Sequence, residues 1–329
     1  GNPRSDMLRP ELRPFYQQEV EEFGSRYGDF ILINTNFNHV NAFGPDMNLF
    51  KPTQNLDRKA KFGRAARGMS REYAEGLRDH KQSVFRDFQQ MIPRLEQAFP
   101  ENTIVVRPHP TENYEVYRKI ANRCQRVHVN NEGNVVPWLM AAKAVIHNGC
   151  TTGVEAYVTG TPAISYRASI NETYDNGFYR LPNQMSHQCF TFEELREILQ
   201  KILIGVVGVA DGDERRNLID HHLSAKTGLL ACERMLDVVD TINVDPSAVE
   251  TISKRSRRWL VTRGLHLAKQ VKSKLPGSHN RPEFQRHRYP GISTEALHKK
   301  LLQFQHLLDN NCRLKIEPIS GVMFKLTPS

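Results

Sequence analysis

The residues with the most chemical capacity in this chain fall into two short runs, Arg107-Pro108-His109-Pro110 and His147-Asn148-Gly149-Cys150-Thr151-Thr152-Gly153. The first holds a guanidinium and an imidazole between prolines, whose rings restrict the local backbone. Both side chains can donate to a phosphate, arginine with bidentate geometry. The second joins two glycines, which let the backbone approach a ligand closely, to paired threonine hydroxyls. A helix starting there adds unpaired N–H groups and a positive end, both favourable to an anion. A plainer reading stays open beside this one: Thr152-Gly153-Val154-Glu155 fits the capping box, in which hydroxyl and carboxylate serve only the helix start. Taken singly, an arginine or a histidine such as Arg107 or His109 is more often a surface or packing residue. Two anion-competent loops at one sheet edge are harder to explain that way.

That shared edge follows from the pattern around the runs. Asp29 to Asn34, Thr103 to Val106, Val127 to Val129, Ala144 to Ile146 and Ala163 to Tyr166 are short apolar segments that read as buried strands. Between them, Ser70 to Phe99 carries apolar residues at helical spacing, including Val84, Phe85, Phe88, Met91, Ile92, Leu95 and Phe99. Helices are also expected over Tyr114 to Cys124, Val135 to Ala142, Gly149 to Gly160, Phe192 to Ile202 and Ala225 to Val239. Strands alternating with helices imply a doubly wound parallel α/β sheet, and ligands of such sheets bind beyond the carboxyl ends of the strands. The loop after the first strand, Thr35-Asn36-Phe37-Asn38-His39, reaches the same edge and makes Asn36 and His39 possible cleft residues.

From about Asn243 the pattern changes. Lys254, Arg255, Arg257, Arg258, Arg263, Lys269, Lys272, Lys274 and Arg281 lie between Thr251 and Pro282 with no acidic residue among them, a surplus as large as the net charge of +9. A helix is expected from Trp259 to Leu275, then a loop with Pro282, Pro290 and Gly291, a helix from Thr294 to Leu308, and strand-like pieces at Leu314 to Ile316 and Met323 to Leu326. The expected organisation is a lead-in over 1–28, a Rossmann-like domain over 29–242 and a basic, mainly helical C-terminal extension over 243–329. Trp259, Leu260, Val261, Leu265, Ala268, Val271 and Leu275 among the cations suit an anionic membrane surface; a helix packed on the sheet, or a solvated linker, suits them equally. The charge lacks the interleaved aromatics of a nucleic-acid platform, so no nucleic-acid partner is expected.

The five cysteines, Cys124, Cys150, Cys189, Cys232 and Cys312, show neither a disulfide framework nor zinc-ligand spacing. No apolar run reaches the roughly 18 residues of a membrane span, and Gly1-Asn2-Pro3-Arg4-Ser5-Asp6 is unlike a signal peptide. The expected location is the cytoplasm, with attachment to the inner face of the membrane a further option. A chain beginning this way reads as starting inside a longer protein or after a processed end.

Val106-Arg107-Pro108-His109-Pro110, then Ile146-His147-Asn148-Gly149-Cys150-Thr151-Thr152-Gly153-Val154-Glu155-Ala156 and Gly160-Thr161-Pro162, resemble bacterial surface carbohydrate (polysaccharide) biosynthesis proteins, which are similar to the C-terminal half of GT-B glycosyltransferases. The opening Gly1-Asn2-Pro3-Arg4-Ser5-Asp6 resembles the segment leading into the second Rossmann-like domain of CDP-glycerol glycerophosphotransferases. Thr227 to Asp240 resembles the terminal helix of UDP-N-acetylglucosamine 2-epimerases. The resemblance implies a GT-B C-terminal domain type of fold and a nucleotide-sugar donor, CMP- or CDP-linked by the His-Pro motif, with UDP as the fallback. It implies transfer to a glycan or lipid-linked glycan acceptor. His109 and Arg107 would stabilise the leaving phosphate, Asn148, Gly149, Thr151, Thr152 and Gly153 would hold it, and Glu155 would grip the ribose. No Asp-x-Asp motif calls for a metal, and no cofactor is expected. A general base is not identifiable, because the resemblance places it in an amino-terminal domain. Epimerase activity is the alternative enzyme, although His147-Asn148-Gly149-Cys150 departs from the epimerase pattern. A non-catalytic nucleotide-binding module is the alternative of another class.

Overall fold

The computed structural model describes residues 2–53, 59–175, 180–224, 226–242, 252–274, 281–310, 312–320 and 322–328. Six parallel strands form one sheet: β1 (Phe30–Asn34), β2 (Thr103–Arg107), β3 (Val127–Val129), β4 (Ala144–His147), β5 (Ala163–Tyr166) and β6 (His187–Cys189). Their order is β3-β2-β1-β4-β5-β6. The chain therefore moves outward from β1 in one direction, returns to pair β4 with β1, and continues the other way. Loops leaving β1 and β4 diverge there, which opens the crevice expected of a doubly wound sheet.

The helices are α1 (Pro3–Asp6), α2 (Gln17–Tyr27), α3 (Arg71–Ala98), α4 (Glu115–Ala121), α5 (Val135–Ala141), α6 (Thr152–Thr159), α7 (Arg180–Gln184), α8 (Phe192–Leu203), α9 (Asp213–His222), α10 (Ala231–Asp240), α11 (Ile252–Ser273), α12 (Pro282–Arg288) and α13 (Thr294–Leu307). Strand side chains alternate between two faces, and the core divides accordingly. Ile31, Ile33, Ile104, Val106 and Ile146 pack with Phe88, Met91 and Leu95 of α3 and Leu195 and Leu199 of α8. Phe30, Leu32, Val105 and Val145 face Trp138 and Leu139 of α5 and Ala156 of α6 on the other side. Helix α3 starts where a side-chain cap predicts, Ser70 Oγ accepting from Tyr73 N–H.

The first 28 residues fold onto this layer. Asp6 accepts from Ala231 N–H and Cys232 N–H at the start of α10, at 2.8 and 2.9 Å, and Arg13 donates to Val158 O at 2.8 Å. Phe23 of α2 stacks on Trp138. At the far end of the chain, α13 packs Phe304 on Phe15, and β7 (Leu314–Ser320) pairs antiparallel with β8 (Met323–Pro328).

Several elements depart from the sequence expectation. Strand β6 and helices α7, α9 and α12 were not anticipated; α12 occupies the stretch read as a proline loop. Helix α10 begins at Ala231, where Asp6 accepts from its first amides; Ala225, the expected start, lies outside the described residues. Helix α11 covers Ile252–Ser273, earlier than expected. Leu275 and the side chains of Lys254, Arg255, Arg257, Arg258, Trp259, Leu260 and Lys272 lie outside the described residues.

Candidate functional site

The loops after β1, β2 and β4 meet over a cleft of about 290 Å³, whose walls include Arg4, Thr35, Arg107, His109, Thr151 and Thr152. The two sequence runs do come together, but their hydrogen-bonding states differ.

Arg107 is buried at the end of β2. Its Nη1 donates to Glu132 O at 2.8 Å and its Nη2 to Gly133 O at 2.7 Å, with the guanidinium over the Trp138 ring. The residue thus ties down the loop between β3 and α5, the floor of the cleft. Burial lowers its pKa to about 10, which keeps it cationic at neutral pH. His109 lines the cleft. Its Nδ1 accepts from Thr111 Oγ1 at 2.8 Å and from Thr111 N–H at 3.3 Å, so the ring proton belongs on Nε2. The backbone of this loop is organised by Glu112, which the sequence analysis missed. Glu112 is fully buried; its carboxyl accepts from Thr35 Oγ1 at 2.8 Å, His109 N–H at 3.1 Å and Tyr117 Oη at 2.6 Å. Burial raises its pKa against those donors.

At the other run, His147 closes the turn. Its Nδ1 accepts from Gly149 N–H at 3.0 Å and Cys150 N–H at 3.3 Å. Its Nε2–H then donates to Ser186 Oγ at 2.8 Å, and that hydroxyl donates to Pro182 O. Complete burial depresses the imidazole pKa to about 4, so it is neutral in this role. Gly149 has φ of 83°, in the left-handed region. A Cβ at Gly153 would stand 2.5 Å from His147 Nε2, so only glycine lets α6 begin directly above that ring.

The amides of 149 and 150 are therefore engaged internally, whereas those of Thr151 and Thr152 meet no oxygen or nitrogen acceptor among the described residues. The Cys150 sulfur lies against both threonines. The capping box is not formed: Thr151 is the N-cap, without a side-chain cap bond. Thr152 Oγ1 is buried without a hydrogen-bond partner, as are Asn148 Oδ1, Glu155 Oε2 and both polar atoms of the Asn34 side chain. Buried polar atoms are nearly always paired, so this concentration at the ends of β1 and β4 marks the switch point as built for something polar. Glu155 Oε1 is held by Arg4 Nη2 at 2.8 Å, and burial raises its pKa against that pairing. Asn36 belongs to the turn through its carbonyl, which accepts from Asn148 Nδ2 at 3.3 Å. His39 is not in the wall of this cleft; it lies toward Lys81, and burial with that charge lowers its pKa.

Among the described residues no group of His, Cys, Asp and Glu is placed to hold a metal, and no helix is long and apolar enough to cross a membrane. No protein-family model matches the chain, and no curated protein matches it. Among solved structures it is similar to the UDP-GlcNAc 2-epimerase of Neisseria meningitidis bound to UDP-GlcNAc, with 11% identity, 72% of this chain and 52% of that chain covered, and a TM-score of 0.36. It is also similar to the Methanocaldococcus jannaschii UDP-GlcNAc 2-epimerase in complex with UDP-GlcNAc and UDP, with 11% identity, 68% and 53% covered, and a TM-score of 0.33. The chain spans about half the length of these structures.

Proposed function

We propose that this chain is the donor-binding part of a glycosyltransferase of bacterial surface-carbohydrate synthesis, acting from a nucleotide-activated sugar onto a glycan or lipid-linked glycan. The observation that carries the binding half of the reading is the set of donors at the start of α6 that no oxygen or nitrogen among the described residues takes up: Thr151 N–H, Thr152 N–H and Thr152 Oγ1, beside the Cys150 sulfur at the edge of a cleft at the sheet's switch point. A phosphate seated there would receive all three, with the helix end behind them. Glu155 Oε2 would accept from a ribose hydroxyl. His109 Nε2–H would donate to the leaving phosphate, where charge grows in the transition state, and Arg107 would support it by fixing the cleft floor. The His-Pro pair favours a CMP- or CDP-linked sugar, with UDP next. The basic helix α11, exposing Val261, Leu265, Leu267 and Val271 beside Arg263 and Lys269, would rest on anionic lipid at the inner membrane face.

Calorimetric titration of CMP, CDP and UDP tests the reading. Binding should weaken about tenfold, or 1.4 kcal/mol, in Thr152→Val; equal affinity in wild type and variant would sink it. Incubating a bound nucleotide sugar without acceptor then separates the chemistries, since a transferase leaves the sugar configuration intact and an epimerase inverts it.

A further inference from the structure

Asn34 is the last residue of β1, the strand from which the sheet grows in both directions, and it lies between Arg107 of β2 and His147 of β4. Strand alternation puts it on the same face as Phe30 and Leu32, the face covered by α5 and α6. At the cleft that face turns from apolar to polar, and Asn34 lines the cleft together with Thr151 and Thr152. The residue is only 3% exposed, and neither its Nδ2 nor its Oδ1 has a hydrogen-bond partner among the described residues. Its neighbour Thr35 is committed to the scaffold through Glu112 and Tyr117. Asn34 makes no such contribution. An amide held out of water with both ends unpaired costs folding free energy, a cost that an apolar residue continuing the face would avoid.

The two ends of the amide make different demands. Nδ2 carries two N–H donors, whereas Oδ1 only accepts. Phosphate oxygens could serve Nδ2, as they would the donors of Thr151 and Thr152. They cannot serve Oδ1, because a phosphate ester that has lost its protons has nothing to donate. That atom needs a hydroxyl or an N–H on the ligand. Since Nδ2 and Oδ1 sit on one carbon, the ligand's phosphate and its donor must be near neighbours.

We propose that Asn34 is a specificity-determining residue of the cleft, and that it recognises a phosphate ester with a hydroxyl or an N–H on the carbon next to the esterified one. Nδ2 donates to the phosphate and Oδ1 accepts from that neighbouring group. A sugar 1-phosphate has this arrangement through its C2 substituent. A nucleoside 5′-phosphate does not, because the carbon next to its ester bears no hydroxyl. Asn34 therefore reads the glycosyl side of the donor and not the nucleoside side. The inference rests on the nucleotide-sugar reading and narrows it: the transferred unit keeps a hydroxyl or an acylamino group beside the glycosidic carbon, and deoxy units lacking it are weak ligands.

The test uses the full chain and saturation-transfer NMR titrations with glucose 1-phosphate and 2-deoxyglucose 1-phosphate. They are run at pH 8, where both esters have lost the phosphate proton of pKa about 6, alongside calorimetry with CMP, CDP and UDP. Glucose 1-phosphate should bind about tenfold more tightly than its deoxy analogue, a difference of 1.4 kcal/mol. Asn34→Leu should abolish that preference, and so should Asn34→Ala, which removes the same two atoms without adding bulk. Equal binding of the two esters by the wild type overturns the proposal, as does a preference that survives either substitution. Nucleotide binding that weakens in Thr152→Val, with no preference between the esters, rejects the role of Asn34 alone. A preference that depends on Asn34, without binding of any of the three nucleotides, supports the contact and rejects the nucleotide part of the reading.

Discussion

The two walls of the cleft at the switch point are a few residues long, both polar and both at strand ends, yet they are in opposite hydrogen-bonding states. The loop after β2 is saturated: Arg107 is bonded to two carbonyls, and Glu112 collects donors from Thr35, His109 and Tyr117. The turn after β4 uses His147 to engage its first two amides and leaves the next two, with the Thr152 hydroxyl, beside the Cys150 sulfur and with no oxygen or nitrogen acceptor among the described residues. One wall is a scaffold and the other presents donors. The difference matters because satisfied groups add stability while unsatisfied buried groups cost it, so substitutions on the two sides should have opposite signatures.

The largest effect is expected on the scaffold side. Glu112→Ala strands Thr35 Oγ1, Tyr117 Oη and His109 N–H in a dry interior, and should cost about 3–5 kcal/mol in urea unfolding. Glu112→Gln keeps the shape and one acceptor. It should cost much less, since burial already favours the neutral acid at this position. A loss below about 1 kcal/mol for the alanine variant would break the comparison by showing that this wall is not a scaffold.

Next in size is a pH effect at the turn itself. His147 is depressed from 6.5 to about 4 by burial, so the unfolded chain takes up a proton first as pH falls. The stabilisation is intact above pH 6.5, declines through the window from 6.5 to 4, and is gone below it. At 1.36 kcal/mol per unit the window holds about 3 kcal/mol. Equilibrium unfolding of wild type and His147→Asn should therefore converge as pH is lowered from 7 to 4. Parallel pH dependences would mean that His147 does not titrate this way.

Much of the scaffold was legible because it obeys simple periodicities. The apolar runs at β1, β2, β4 and β5 and the stripe along α3 survive as elements within a residue or two of expectation. What was not legible depended on distant partners. β6 is three residues long, two of them polar, and carries no apolar run. The start of α10 is set by Asp6, more than two hundred residues earlier. Glu112 looks like any acidic residue in a polar loop, and only the fold surrounds it with donors. Arg107 lines the cleft, but the carbonyls it bonds belong to a loop whose position the sequence does not reveal. Lys81 stands four residues after Leu77 and seven before Phe88, within the buried stripe of α3, where periodicity alone leads one to expect an apolar side chain.

The smallest effect is the sharpest test of the contrast. Thr152→Val replaces a buried, unpaired hydroxyl with a methyl of similar shape. At an ordinary threonine the lost hydrogen bond would destabilise the fold by about 1 kcal/mol. Here the hydroxyl meets no oxygen or nitrogen partner among the described residues and lies against the weakly accepting Cys150 sulfur, so the valine relieves most of the cost of burying it. Unfolding free energy should stay level or rise by up to about 1 kcal/mol, while nucleotide binding weakens. Stability gained and affinity lost at one atom is the signature of a group kept for a ligand. If Thr152→Val instead destabilises the protein as an ordinary buried threonine would, the hydroxyl has an internal partner and the two walls are alike.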